Sequence, residues 1–250
     1  GLNAYDMFAQ PRKAYLLHGV EPELDCHNPQ LALAALKQAA LVVMMTPFKH
    51  PAALDYADVL LPCAPYTETS GTFVNCEGRV QSFSGVVAPL GETRPAWKVL
   101  RVLGNLLGLE GFAYDSSEQV CGEMLGAEEF VPGLDNALAA APLGLPLAAD
   151  GLQRISDVPI YFADPLPRCA PSLQKTHDAV APTARMNAAT LAALNLASGD
   201  GVRVRQGEGE AMLVAQLDDH VPAGCVRVAA AHASTAMLGD MFATINVERA

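Results

Sequence analysis

The chain has 250 residues, of which 51% are hydrophobic and 17% charged, and a formal net charge of -11. That length and apolar content predict a buried core in one large or two modest domains and argue against disorder. The acidic balance excludes nucleic-acid binding and simple electrostatic docking on anionic lipid, since nothing would neutralise phosphates.

No apolar run approaches the roughly 20 residues that span a bilayer. There is no signal peptide, and the opening Gly1-Leu2-Asn3 reads as the middle of a fold, so the chain is expected to be a piece of a longer protein. The six cysteines (Cys26, Cys63, Cys76, Cys121, Cys169, Cys225) are scattered without a C-x-x-C pair. This spacing supports no zinc or iron–sulfur site and suggests free thiols.

In chain order, Ala14–Val20 predicts a buried strand. Asn28 as N-cap with Pro29 at the first helical position predicts a helix through Gln38. Leu41–Met45 is a continuous apolar run suited to a strand buried on both faces. His50–Tyr56 reads as a short helix and Asp58–Leu61 as a third strand, so the order β-α-β-α-β implies a parallel sheet. A helix is expected from Pro95 to Leu107, with an apolar face of Trp97, Leu100, Val102, Leu103, Leu106 and Leu107. Another begins at Ser116, with Gln119 completing a capping box.

Composition then shifts. Glu128 to Gln153 is rich in Ala, Leu, Gly and Pro and reads as a linker between domains at 1–127 and 154–250. Beyond it, strands are expected at Val158–Ala163, Val202–Gln206, Ala211–Leu217 and Val226–Ala230. A turn falls at Gly207-Glu208-Gly209, and one short helix over Ala188–Leu194 is capped by Asn187. Short strands at regular spacing suggest a small barrel.

The segment Asp55 to Phe83, DYADVLLPCAPYTETSGTFVNCEGRVQSF, carries the strongest motif. Its Ala57-Asp58, Leu61-Pro62, Glu68, Gly71-Thr72, Asn75 and Glu77-Gly78-Arg79-Val80-Gln81 resemble the signature of the molybdopterin oxidoreductase family. The text MNAATLAALNLASGDGVRV…VPAGCVRV resembles that family's C-terminal dinucleotide-binding domain. The resemblance implies a parallel Rossmann-like α/β domain followed by a smaller β-rich double-psi barrel. It also implies a pterin guanine dinucleotide over the C-terminal ends of the sheet strands, where such folds bind ligands.

Against that pattern, the first strand leads into Gly19-Val20-Glu21-Pro22, where many catalytic relatives have Gly-x-Asn-Pro. Glu23 and Asp25 add two more negative charges, and no Lys or Arg falls within Val20–Pro29. A carboxylate about 4 Å from an anionic ligand costs on the order of 1 kcal/mol even when well screened.

The V-E-P-E-L-D turn, together with PSLQKTHDAVAPTARMN and TRPAWKVLRVLGNLLGLEGFAYDSSEQV, resembles a non-catalytic branch of the family, the large G subunits of bacterial NADH–quinone oxidoreductases. That resemblance implies a scaffold segment in the peripheral arm of a respiratory complex, touching its other peripheral-arm subunits. It would be cytoplasmic and held at the inner membrane only through the complex. It implies no cofactor in this chain, the iron–sulfur ligands lying elsewhere in the parent subunit and the molybdopterin guanine dinucleotide having been lost.

Two alternatives stand beside it: a fragment of a molybdopterin-dependent enzyme of formate dehydrogenase or nitrate reductase type, and a free-standing α/β domain that binds a metabolite anion. An exposed apolar patch favours the scaffold, an open basic cleft over Glu21, Thr46 and Asn75 the enzyme, and a small closed pocket the third. The candidate residues of a vestigial dinucleotide cleft are Thr46, Asn75 and Arg79, with no catalytic residue and no metal ligand. Arg79 can equally pair with Glu77 or Glu68 and pin a hairpin. Asp58 and Glu68 as an acid/base pair give a weak signal, Asp58 reading better as a cap. Gly71 and Gly78 suit positive φ or close backbone approach. The six histidines show no metal-binding spacing, no Ser stands in a G-x-S-x-G elbow, and Gly199-Asp200-Gly201 reads as a turn rather than a phosphate loop.

Overall fold

The structure, a computed structural model, describes residues 1–126 and 150–250. The chain divides into two compact units. One comprises Gly1–Val43, His50–Val59 and Pro146–Ala250, the other Met44–Lys49 and Leu60–Leu145. Neither is contiguous, unlike the division into 1–127 and 154–250 that composition suggests. The expected linker lies outside the described residues except at its end, where Leu152 and Gln153 open a strand.

The sheet follows the predicted order. Strands β1 (Ala14–His18), β2 (Leu41–Thr46) and β3 (Val59–Pro62) form a three-stranded parallel sheet in the order β1-β2-β3. Ahead of them, α1 (Ala4–Ala9) is capped by the Asn3 side chain. Between β1 and β2 lie a one-turn helix, α2 (Pro22–Asp25), and α3 (Pro29–Gln38), which starts as the Asn-Pro pair dictates: the Asn28 side chain accepts a hydrogen bond from the Leu31 N–H at 3.1 Å. Val42, Met44 and Met45 of β2 are fully buried. The expected short helix after β2 is a 3₁₀ turn, Pro51–Asp55.

The signature segment folds into an antiparallel hairpin, β4 (Gly71–Val74) on β5 (Val80–Phe83), with Phe73 and Phe83 stacked at 5.4 Å. Gly78 has φ +76, and a Cβ on Gly71 would stand 2.7 Å from the Phe83 ring, so both glycines have the structural roles expected of them. Helices α4 (Ala96–Leu106) and α5 (Ser117–Leu125) follow. Ser116 caps α5 as predicted, but Gln119 reaches back to the Asp115 N–H rather than to Ser116. Of the expected apolar face of α4 and its C-cap, Val102, Leu106 and Leu107 are exposed; only Gly104 of this helix is buried.

The C-terminal part is a closed six-stranded barrel. Its strands are β6 (Leu152–Ile155), β7 (Ala184–Met186), β8 (Gly201–Gln206), β9 (Gly209–Leu217), β10 (Cys225–Arg227) and β11 (Thr244–Arg249), in the order β10-β6-β11-β8-β9-β7. The pairs β10/β6 and β7/β9 are parallel and the others antiparallel. Alternation drives closure: in β9 every second residue from Gly209 to Ala215 is buried. Val202, Val204, Val226, Val228, Ile245, Met186 and Leu238 fill the interior. Helix α7 (Ala188–Ala193) starts at Asn187, whose side chain accepts from the Thr190 N–H at 2.8 Å.

One expected strand is corrected. Val158–Ala163 is not a strand but a 3₁₀ turn at Ile160–Phe162, leading into α6 (Pro165–Arg168). Pro159 enters the turn and Asp164 caps α6, its carboxylate accepting from the Leu166 N–H at 2.8 Å. The prolines and the cap outweigh the apolar alternation there.

Candidate functional site

The acidic turn after β1 carries a buried polar network. Gly19 has φ +63, which turns the chain at the strand end. Glu21 then occupies the N-cap position of α2 without making a side-chain cap, and its N–H donates instead to the Asp25 carboxylate at 2.7 Å. Glu21 and Glu23 are 3% and 6% exposed, so two carboxylates within three positions fold inward, while Asp25 stays at the surface.

The cations that make this tolerable come from distant parts of the same unit. Asp164 and Pro165 set the single turn of α6 that delivers Arg168. Arg168 Nε lies 2.9 Å from Glu21 Oε2, and its Nη2 donates to Asp25 Oδ1 at 2.8 Å. Its Nη1 donates to the Phe162 carbonyl at 2.7 Å. The 3₁₀ turn at Pro51–Asp55 carries His50 at one end and Tyr56 at the other. His50 Nε2 lies 3.0 Å from Glu23 Oε1, and the Tyr56 hydroxyl donates to Glu23 Oε2 at 3.0 Å. His50 Nδ1 stands 3.6 Å from Glu21 Oε1.

Titration follows from these contacts. Burial pushes the Glu21 carboxyl above its ordinary value, outweighing Arg168 and His50. Burial also acts to raise Glu23, but the hydrogen bonds and charge it receives from His50, its backbone and Tyr56 bring it below the ordinary carboxylate value. For His50, burial disfavours the charged ring, yet Glu23 and Glu21 win and raise it. Burial, with Glu23 second, raises the Tyr56 phenol. Neighbouring thiols are not activated: burial raises Cys169 and lifts Cys26 to about 11.

Beside this network is a cavity of about 690 Å³. Its polar wall is Glu21, Glu23, His50, Tyr56 and Arg168, and Phe162, Leu24 and Met237 are among its apolar residues. His232 also lines it, its ring edge-on to Phe162 at 4.8 Å and its basicity lowered by burial. A cavity with such convergent, perturbed groups has the form of a small-molecule site.

The residues expected from sequence lie elsewhere. Asn75 and Arg79 share the tip of the β4–β5 hairpin, where the Asn75 side-chain oxygen accepts from the Glu77 and Arg79 N–H groups. Arg79 pairs with Glu77 at 3.8 Å, both side chains largely exposed. Thr46 is buried at the end of β2, and its hydroxyl bonds to the Phe48 backbone. Among the described residues no hydrogen bond joins Thr46 to Asn75 or Arg79. Asp58 accepts from the Val42 N–H at 2.7 Å and Glu68 from the Leu90 N–H at 3.0 Å, so each is tied to backbone rather than poised as an acid or base. Asp200 accepts from the Ala197 N–H and pairs with Arg249, which makes Gly199-Asp200-Gly201 a turn. Among the described residues no group of three or more His, Cys, Asp or Glu side chains could hold a metal ion, and no helix is long and apolar enough to cross a membrane.

Sequence reasoning found Glu21, Glu23 and Asp25 but missed His50, Tyr56 and Arg168. The lack of a nearby Lys or Arg was the available signal: buried carboxylates demand a cation, and it had to come from outside Val20–Pro29.

Comparisons with known proteins agree with this architecture. Over 157 residues, 62% of this chain, it is 31% identical to "Probable oxidoreductase YjgC" of Bacillus subtilis (strain 168), of which it covers 15%. It is 29% identical over 150 residues to a "Putative formate dehydrogenase" of Staphylococcus aureus (strain USA300), again covering 15% of that protein. The chain thus spans a small part of these curated relatives. Among solved structures, acetylene hydratase from Pelobacter acetylenicus has the same fold, with a TM-score of 0.71 over 98% of this chain and 46% of that one at 18% identity. Residues 1–106 match the molybdopterin oxidoreductase family and residues 170–247 the molybdopterin dinucleotide-binding domain. With both matches in chain order, the chain carries a molybdopterin oxidoreductase domain followed by a molybdopterin dinucleotide-binding domain.

Proposed function

We propose that this chain is a non-catalytic scaffold segment of the G subunit of a proton-pumping NADH–quinone oxidoreductase, keeping the family fold without its dinucleotide. The observation that carries this reading is the buried Glu21 carboxylate at the end of β1, held by Arg168 at 2.9 Å. A pyrophosphate brought to this strand end would meet Glu21, Glu23 and Asp25, whose balancing cation Arg168 is already engaged by Glu21 and Asp25. The residues present do not fit molybdopterin guanine dinucleotide there, and no chemical step is assigned to it.

Exposed large apolar side chains support a role in assembly. Phe73, Val86, Leu90 and Leu106 are 69–80% exposed, and side chains of this kind supply docking area where they lie together in one patch. In this reading the partners are other peripheral-arm subunits, on the cytoplasmic face of a bacterial inner membrane.

The names of the relatives favour a second reading, a piece of a formate dehydrogenase-type molybdopterin enzyme. The full-length protein that contains this chain, tagged in its native host, separates the two. Co-migration with NADH dehydrogenase activity, without molybdenum or pterin, is the expected result. Near-stoichiometric molybdenum with formate-dependent dye reduction would establish the enzyme instead.

A further inference from the structure

We infer that Arg168 and His50 form an oxyanion site whose resident ligand is the chain's own Glu21 carboxylate. Each oxygen of that carboxylate faces one basic group, Oε2 the Arg168 guanidinium at 2.9 Å and Oε1 the His50 ring at 3.6 Å. The three side chains are only 4%, 9% and 13% exposed. Glu21 is not otherwise employed, since it caps no backbone group of α2.

The fit of this internal ligand is imperfect, and that points to the chemistry the site takes. Arg168 Nε and His50 Nδ1 are both buried without a hydrogen-bond partner: Glu21 comes within 2.9 Å of Arg168 Nε but at a poor angle, and at 3.6 Å it stands too far from His50 Nδ1 to bond it. Their remaining nitrogens are fixed: Arg168 Nη1 and Nη2 by Phe162 and Asp25, His50 Nε2 by Glu23 and Tyr56. Removing the Glu21 carboxylate therefore leaves the Arg168 Nε donor and, with the His50 ring protonated, its Nδ1–H beside a cavity of about 690 Å³. A tetrahedral oxyanion, phosphate or a phosphate monoester, can satisfy both donors with better geometry than a tethered carboxylate. In the native chain the tether makes filling of the site intramolecular, so a free anion must compete with Glu21.

This deepens the scaffold reading by giving the physical reason a phosphate-bearing ligand is not taken, but it stands on these residues alone. The test uses inorganic phosphate at about pH 6.0, where the raised His50 ring is protonated, with chloride matched for ionic strength, on the whole chain. Thermal unfolding and calorimetry should show no phosphate response in the wild type. Glu21→Ala should bind phosphate at least about tenfold more tightly than the wild type, with a raised Tm, since one like charge is gone and two donors are released. Adding Arg168→Gln should abolish the response. If Glu21→Ala does not fold, the near-isosteric Glu21→Gln replaces it and should show the same response more weakly. Equal binding by wild type and variant would overturn the proposal, as would a folded Glu21 variant with no phosphate response or a response that survives loss of Arg168. None of these results depends on the molybdenum content or partners of the full-length protein, so failure here and failure of the scaffold reading remain distinct.

Discussion

His50 Nε2 lies 3.0 Å from Glu23 Oε1, with both side chains almost closed to solvent. The pair joins the turn after β1 to the 3₁₀ turn after β2, within one compact unit. Its two members respond to pH from opposite directions, which makes its contribution measurable.

His50 is raised above its ordinary 6.5, so the stability it contributes is full below 6.5 and is lost as pH rises through the raised value. Glu23 is lowered from 4.5, so its contribution is full above 4.5 and is lost as pH falls through the lowered value. Both are complete between 4.5 and 6.5. Glu21, raised by burial, contributes most below 4.5 and loses that contribution as pH climbs, so it softens the acid limb. The urea midpoint is expected to be greatest in the window between 4.5 and 6.5 and to fall on the alkaline side. His50→Gln should shrink the alkaline fall, leaving the part due to Glu21; an unchanged fall in that variant would place its origin elsewhere.

Tyr56→Phe removes the hydroxyl that donates to Glu23 at 3.0 Å and sits 3.2 Å from His50. A buried hydrogen bond to a charged partner contributes about 1.5–3 kcal/mol, so a loss of that size is expected in denaturant unfolding. The ring stays packed in the variant, so a larger loss would mean that the hydroxyl holds more than Glu23.

Arg168→Ala should be the most damaging single change in the network. It leaves the buried Glu21 without its cation and Asp25 without its partner, and breaking a buried pair such as Arg168–Glu21 costs about 3–5 kcal/mol. Glu21→Ala in the same chain should recover part of the loss, because one stranded carboxylate is removed. Strict additivity in the double-mutant cycle would show that Arg168 and Glu21 are not coupled.

What was legible in the sequence is what depends on local pattern. The Asn28-Pro29 start, the apolar run of β2, the Asn187 cap and the alternation of β8 and β9 each follow from neighbouring residues, and each formed. Barrel strands β6, β7 and β11 were not seen, because three to six residues give too little alternation to distinguish a strand from a loop. The site shows the same limit. Its acidic half lies within five residues, while His50 and Arg168 reach it through tertiary folding that no spacing reveals. Asn75 and Arg79 looked functional because Gly, Asn and charged residues also make tight turns, and here they make one.

The buried Arg154 ties the loop before β11 to the barrel. It donates to the Val228, Gly239 and Asp240 carbonyls and to the Gln206 side chain, and burial lowers its pKa to about 10, so it stays charged at neutral pH. Arg154→Met keeps much of the volume but strands those acceptors, each costing about 1–3 kcal/mol if buried and unmet. Hydrogen exchange should accelerate first at Leu238 and Met241, whose amides are bonded near that loop. Uniform acceleration across the barrel would argue for global destabilisation instead.

Gly209 and Gly122 give opposite expectations for the same substitution. A Cβ on Gly209, the first residue of β9, would stand 1.7 Å from the Met237 carbonyl oxygen, and backbone cannot step aside as a flexible side chain can. Gly209→Ala must therefore displace the 237–239 segment or open the β8–β9 turn, where Gln206 pairs with Gly209, at a cost of about 1–3 kcal/mol. Gly122 lies inside α5 and would meet nothing within 4 Å. Gly122→Ala should strengthen that helix by about 0.5–1 kcal/mol, through the lower backbone entropy lost on folding. Because the two glycines belong to different compact units, site-resolved hydrogen exchange is the measurement. Gly209→Ala should speed exchange in β8 and β9 and leave α5 unchanged, and Gly122→Ala should slow exchange only within α5. A tolerated Gly209→Ala with unchanged exchange in the barrel would show that the 237–239 backbone is free to move.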